Sequence, residues 1–127
     1  KTLIKRKSIN KTTMKAKVLD QATVLHFEGS ILDETSLATI LSFYETESIN
    51  WTSPHLIADL SQLNVINSSG INVLIRLLTK TRIKGGEMII IGLHENVGKV
   101  LQLTKLNDVF IIKENLDQAI NILKQTT

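Results

Sequence analysis

The chain has 127 residues, 43% of them hydrophobic, so it can form one domain with a substantial core. It contains no cysteine, which excludes disulfides, thiolate metal sites and cysteine nucleophiles and is consistent with a cytoplasmic protein. Apolar runs stay well short of the roughly 20 residues that span a bilayer. The first residues also lack the apolar stretch of a secretory signal, so no membrane association is expected.

The net charge of +3 is distributed unevenly along the chain. Seven basic residues precede the first acidic one, Asp20, whereas the other eight basic residues and all 12 acidic ones give the remainder a net charge of −4. Residues 1–11 show no sustained periodicity and are predicted to form a basic N-terminal tail before a domain at residues 12–127. A basic segment can bind nucleic acid. A solvated tail is the simpler interpretation, so nucleic acid is not expected as a partner.

Two strands and a helix are predicted in the first half of the chain. Apolar and basic residues alternate over residues 14–18, and a mostly apolar run over residues 24–28 ends at Gly29. These two segments are expected to form an antiparallel hairpin. Asp33 or Thr35 can cap the helix that follows. The buried face of that helix is predicted from four residues at helical spacing: Leu37, Ile40, Leu41 and Tyr44.

From residue 55 onwards, strand patterns and helix patterns alternate. The predicted elements are a strand at residues 55–60, a helix from about Ser69 to the Lys84-Gly85-Gly86 turn, a strand at Met88–Ile91, a helix around residues 97–104, a strand at residues 109–112 and a final helix capped by Asn115. This alternation predicts an α/β fold. We expect a single domain with a mixed, mostly parallel sheet, an N-terminal hairpin and about four helices.

The junction before the second predicted helix carries the candidate site. Here a strand is followed by a helix, and the N–H groups in the first turn of a helix lack internal partners and lie at the positive end of its dipole. The serine at this position, Ser68, can cap the helix or carry a phosphate, and Asn67 is the other candidate for the cap. Gly70 is expected to keep the first turn open to a partner or an anion. The helix itself is mostly apolar, with a narrow polar stripe formed by Asn72, Arg76, Thr79 and Lys80.

Several motifs in the second half resemble, in order and spacing, those of the STAS domain, in particular those of the bacterial anti-sigma factor antagonists. They are Asp59-Leu60-Ser61, Asn67-Ser68-Ser69-Gly70, Lys84-Gly85-Gly86, the apolar run at residues 88–91 and residues 103–110. The resemblance extends from about Met14 to Leu123 and implies a STAS-like fold. Two positions differ from the family pattern. Asn67 stands where the antagonists usually have aspartate, and the acid of the loop after Gly29 is Asp33, one residue later than usual.

The resemblance implies that Ser68 is a phosphoacceptor and that the protein is a regulator, not an enzyme. An anti-sigma factor with a histidine-kinase-like ATPase domain would phosphorylate this serine, and a serine phosphatase would remove the phosphate. The unphosphorylated protein would bind the anti-sigma factor and so free the sigma factor. No cofactor or metal is implied. The expected partner-binding residues are Asp33, Asn67, Ser69, Gly70, Asn72 and Arg76.

Other functions are open from the sequence. A STAS scaffold could bind a small anionic ligand or form a signalling assembly without being phosphorylated. The basic segment at residues 1–11 could bind nucleic acid in a salt-dependent way. A serine at a strand-to-helix turn also occurs in esterases, but Ile66 occupies the position where that motif requires glycine. The histidines His26, His55 and His94 are too scattered to indicate a triad or a metal site.

Overall fold

The computed structural model describes residues 3–125, which form six strands and four α-helices. The strands are β1 (Leu3–Ile9), β2 (Thr12–Val18), β3 (Thr23–Ile31), β4 (Leu56–Ile66), β5 (Met88–Ile91) and β6 (Ile111–Lys113). The helices are α1 (Glu34–Glu47), α2 (Ser68–Ile83), α3 (Glu95–Leu103) and α4 (Leu116–Gln125), and a short 3-10 helix, Ser48–Asn50, follows α1.

The six strands form one sheet in the order β1-β2-β3-β4-β5-β6. Strands β1, β2 and β3 pair antiparallel, whereas β3 to β6 pair parallel. Each parallel connection passes through a helix, because a chain that leaves one end of a strand must return to start the next strand in the same direction. The predicted mixed sheet with an N-terminal hairpin and four helices is confirmed.

The predicted basic tail is wrong for most of its length, because Leu3–Ile9 form strand β1. This strand lies at the edge of the sheet and pairs with β2 in a regular register from Leu3 opposite Val18 to Ile9 opposite Thr12. The side chains of residues 4–8 are exposed, so the strand is held by backbone pairing with β2 and not by an apolar face. Such a strand has no hydrophobic periodicity from which it could be predicted. Residues 1 and 2 of the predicted tail lie outside the described residues.

Two other strands differ from their predicted bounds. Strand β4 continues through residues 61–66, where a loop was expected, because Leu63 and Ile66 are buried although their neighbours are exposed. This second part of β4 pairs with β3 after two shifts of register. Strand β6 begins at Ile111, two residues later than predicted. The extension of β4 places the start of α2 at the far end of a long central strand, beside the end of β3.

The helices cover the two faces of the sheet unequally. Helices α1, α2 and α3 pack on one face around the larger core, in which α2 supplies Val73, Leu74 and Leu77. We call this the three-helix face. Helix α4 packs on the other face against β5 and β6, where Ala119 and Leu123 are buried. We call this the α4 face. Within residues 3–125, no helix is both long enough and apolar enough to cross a membrane.

Candidate functional site

Asn67 is the N-cap of helix α2. Its side-chain oxygen accepts a hydrogen bond from the backbone N–H of Ser69 at 2.9 Å, which satisfies one of the free donors of the first turn. Its side-chain nitrogen donates to the carbonyl oxygen of Leu32 at 3.0 Å. Asn67 therefore starts α2 and also ties it to the loop before α1. The helix does not depend on Ser68 for its cap.

Ser68 is the first residue of α2, and its side chain is exposed. Among the described residues, its hydroxyl has no hydrogen-bond partner within the protein. The hydroxyl therefore lies at the positive end of the α2 dipole and is accessible to another protein. This is the arrangement that the sequence predicted for a phosphoacceptor.

Ser69 and Gly70 are buried, unlike Ser68. The hydroxyl of Ser69 donates to a carboxylate oxygen of Glu34 at 3.4 Å, a contact between the first turns of α2 and α1. A Cβ atom on Gly70 would lie 2.6 Å from the Cβ of Ile66 and 3.0 Å from the carbonyl oxygen of Ile31. The expected exposure of Gly70 to a partner is therefore not observed, because glycine here lets α2 approach β3 and β4 closely.

Asp33 caps helix α1 and accepts the backbone N–H of Ser36 at 2.7 Å. The side-chain amide of Asn10, in the turn between β1 and β2, donates to both oxygens of the same carboxylate at 3.2 and 3.3 Å. Three segments therefore meet beside Ser68, namely the β1–β2 turn, the start of α1 and the start of α2. The sequence predicted the cap at Asp33, but it gave no sign of Asn10, which belongs to the segment expected to be a tail.

The exposed surface continues from Ser68 along α2. Asn72 and Arg76 follow at intervals of four residues, and both are exposed, so the three side chains lie along one side of the helix. Two apolar side chains are exposed at the same end of the sheet, Leu32 after β3 and Val65 near the end of β4. Neither was singled out from the sequence, since an exposed apolar residue can be recognised only once burial is known. We call Leu32, Val65, Ser68, Asn72 and Arg76 the α2 surface.

The pKa of Asp33 is lowered from its ordinary value, chiefly because the backbone N–H of Ser36 donates to the carboxylate. A carboxylate whose pKa is lower in the folded than in the unfolded protein stabilises the fold above the unfolded pKa, and that contribution is lost as the pH falls through the folded pKa. We therefore expect carboxyl NMR titration to give Asp33 a midpoint below that of an ordinary aspartate. We also expect Asp33→Asn to remove this acid-side pH dependence of stability. A midpoint at or above the ordinary value would contradict the cap.

Removing the cap at Asn67 should destabilise the protein. Asn67→Ala loses the acceptor for Ser69 N–H and the donor to Leu32, and the loss of an N-cap typically costs about 1 kcal/mol. Asn67→Asp keeps the acceptor for Ser69 N–H and adds charge at the positive end of the helix, but it places an oxygen against the carbonyl oxygen of Leu32, so we expect its stability to lie between those of Asn67→Ala and the parent. Urea denaturation of the two variants measures this difference. If Asn67→Ala is as stable as the parent, the cap at Asn67 does not stabilise helix α2.

The three histidines have structural partners. The ring of His26 contacts the carboxylate of Asp59 at 2.7 Å, across the parallel pair β3–β4. His55 accepts the backbone N–H of Glu87, and His94 caps α3 by accepting the N–H of Asn96. The His26–Asp59 pair was not anticipated from the sequence. Asp59 lies on β4 well before the end of that strand. From the rise per residue of a β-strand, it is about 20 Å from Ser68, so the His26–Asp59 pair cannot activate that serine.

No group of three or more potential metal-ligating side chains occurs within residues 3–125.

The fold and the exposed serine at the start of α2 define a small α/β domain with a polar junction at the carboxyl ends of β3 and β4. The STAS domain family matches residues 13–119. The chain belongs to the STAS domain family.

Solved structures with the same fold include regulators and a transporter. An anti-sigma factor antagonist from Mycobacterium paratuberculosis is 22% identical over 89% of this chain and 94% of its own, with a TM-score of 0.72. The anti-sigma factor antagonist SpoIIAA in its unphosphorylated form is 15% identical over 97% of both chains, with a TM-score of 0.67. The murine anion transporter Slc26a9 is 12% identical over 84% of this chain but 18% of its own, with a TM-score of 0.70.

Proposed function

We propose that this chain is a cytoplasmic anti-sigma factor antagonist whose binding is switched off by phosphorylation of Ser68. Its partner is an anti-sigma factor with a histidine-kinase-like ATPase domain, which is also the kinase. A serine phosphatase restores the unphosphorylated form. In this scheme the protein is a substrate and a binding partner, and it performs no catalysis itself.

The observation that carries the proposal is the exposure of Ser68 at the first position of α2, where it has no capping role. A serine that held the helix in place could not be modified without loosening the fold. Since Asn67 is the cap, a phosphate can be added to Ser68 while the helix remains intact. The α2 dipole offers the phosphate about 0.3–1 kcal/mol of stabilisation at an exposed site.

The α2 surface fits a docking surface for the anti-sigma factor. It combines the exposed apolar side chains of Leu32 and Val65 with the polar side chains of Asn72 and Arg76, and Ser68 lies among them. A phosphate adds a charge of about −1.5 to −2 and three acceptor oxygens. Burying this charge in an interface without a cation would cost much more free energy than the helix dipole contributes. Phosphorylation therefore blocks docking without refolding the domain.

The remaining polar contacts set the shape of this surface. Asp33 and Asn67 hold the starts of α1 and α2, and Ser69 joins them through Glu34. Asp33, Asn67 and Ser69 therefore affect partner binding indirectly, by fixing the positions of the loops before α1 and α2. Gly70 also acts indirectly, by letting α2 pack closely against the sheet. Asn67 is uncharged, so a phosphate on Ser68 avoids the repulsion that an aspartate at position 67 would add. No observation on the described residues favours an anionic-ligand scaffold over this proposal.

The test is phosphate transfer with the histidine-kinase-like ATPase encoded nearest to this protein in its own genome. With ATP, we expect the parent protein to be phosphorylated and Ser68→Ala to remain unmodified. Ser69→Ala is the matched control, since it removes the neighbouring, buried hydroxyl and should still accept phosphate. Transfer to Ser68→Ala at the parent rate would overturn the assignment of the phosphoacceptor.

A further inference from the structure

Strand β1 has a free edge in the part of the chain that the structure describes. It is the first strand of the sheet and pairs only with β2. All seven residue pairs follow one register without a bulge, so the outer side of β1 presents a regular row of backbone N–H and C=O groups. An edge of this kind can pair with another extended segment.

This edge is strongly basic on both faces. Lys5, Arg6 and Lys7 are consecutive and exposed, and alternate residues of a strand point to opposite faces. Lys5 and Lys7 pair with residues of the three-helix core, so they point to the three-helix face, whereas Arg6 points to the α4 face directly opposite Lys15. Like charges at opposite positions destabilise a strand pair.

In the described part of the chain, no close ion pair neutralises this charge. Within residues 3–125, none of the cations Lys5, Arg6, Lys7 and Lys15 has a carboxylate oxygen within 4.0 Å, although three other lysine or arginine side chains do form such pairs. These cations therefore lack a close counter-ion. Acidic side chains on a neighbouring strand would supply one.

A groove accompanies β1 on the three-helix face. It has a volume of about 580 Å³ and separates β1 from α1. Lys5 and Lys7 line one side, and Ser42, Phe43 and the acidic Glu47 line the other. Side chains of a strand added beside β1 would have room on this face, next to the two lysines and the ring of Phe43, with Glu47 at the Lys5 end.

We propose that the β1 edge binds an extended acidic segment of a partner protein as a seventh strand. Backbone pairing would supply part of the affinity, and acids on both faces of the added strand would meet Lys5 and Lys7 on one side and Arg6 on the other. This surface is distinct from the α2 surface, and the proposal does not depend on phosphorylation of Ser68.

Other occupants fit the edge less well. A second copy of the chain, paired antiparallel through β1 in the register centred on Arg6, would place Arg6 opposite Arg6 and Lys5 opposite Lys7, which adds to the repulsion. A nucleic-acid duplex or an anionic bilayer can reach these cations from the side of the free edge, but it would leave the backbone N–H and C=O groups of β1 without strand partners.

The test uses a fluorescently labelled peptide of seven residues, with three consecutive acids flanked by valine and threonine. Its matched control has the same side chains but an N-methyl group on every backbone nitrogen, so it keeps the charge and neither of its edges can form a strand pair. We expect the first peptide to bind, to slow amide hydrogen exchange in Leu3–Ile9, and to lose affinity in high salt. The N-methylated peptide should not bind.

Two charge-reversal variants complete the test. Arg6→Glu should weaken peptide binding by about tenfold or more, because it places a glutamate beside the acidic side chains of the peptide. Lys99→Glu changes the net charge equally at an exposed position on α3 and should bind as the parent does. The proposal is overturned if the N-methylated peptide binds equally well, if the two variants lose affinity alike, or if the parent prefers a DNA duplex, phosphatidylserine vesicles or its own second copy to the acidic peptide.

Discussion

Ser68→Glu is expected to weaken binding to the cognate anti-sigma factor by about a hundredfold or more while the domain stays folded. Glutamate places a permanent negative charge at the centre of the α2 surface. An unpaired charge buried in an interface costs about 3–5 kcal/mol, and about 1.4 kcal/mol corresponds to a tenfold change in affinity. Isothermal titration calorimetry with the purified anti-sigma factor measures the loss.

Two variants serve as controls for this prediction. Ser68→Ala removes an exposed hydroxyl that caps nothing, so we expect it to retain binding and to change the free energy of unfolding by less than about 0.5 kcal/mol. Gln102→Glu adds the same charge at an exposed position on α3, outside the α2 surface. We expect it to bind normally. Loss of binding in Gln102→Glu to the same extent would mean that overall charge, not position, controls docking.

Gly70→Ala is expected to destabilise the protein by about 1–3 kcal/mol, because the added methyl group would overlap Ile66 and press against the backbone of Ile31. Helix propensity alone predicts the opposite sign, since alanine is favoured over glycine inside a helix by up to about 1 kcal/mol. The sign of the change in urea denaturation therefore tests the close packing of α2 against the sheet.

Gly98→Ala is the matched control within this chain. Gly98 lies in α3, where a Cβ atom would meet its nearest neighbour, the side chain of Leu93, at an ordinary distance of 3.5 Å. Helix propensity should therefore determine the sign of the change in stability, and Gly98→Ala should be as stable as the parent or more stable. If both glycine variants stabilise the protein, α2 does not approach β4 as closely as the structure shows.

Much of the fold could be predicted because most elements bury a periodic set of apolar side chains. The four residues expected on the inner face of α1 are all buried. Strand β5 is apolar throughout and buried throughout, as a strand covered on both faces should be. Strand β1 could not be found in this way, because its backbone pairing with β2 leaves its basic side chains exposed and imposes no sequence pattern.

The site was predictable only in its local part. The caps at Asp33 and Asn67 act on residues two or three positions away, so residue type and spacing were enough to indicate them. The contacts from Asn10 to Asp33 and from Ser69 to Glu34 join residues 23 and 35 positions apart, and no local pattern encodes them. The role of Gly70 was misjudged for the same reason, since its neighbours Ile31 and Ile66 come from two strands.

The most direct measurement is tandem mass spectrometry of this protein purified from its own cells, after separation into molecules that are retained by the anti-sigma factor and molecules that are not. We expect one phosphoryl group, located on Ser68, in the fraction that is not retained, and an unmodified Ser68 in the retained fraction. Phosphorylated Ser68 in the retained fraction, or a phosphoryl group on a different residue in the other, would contradict the proposed switch.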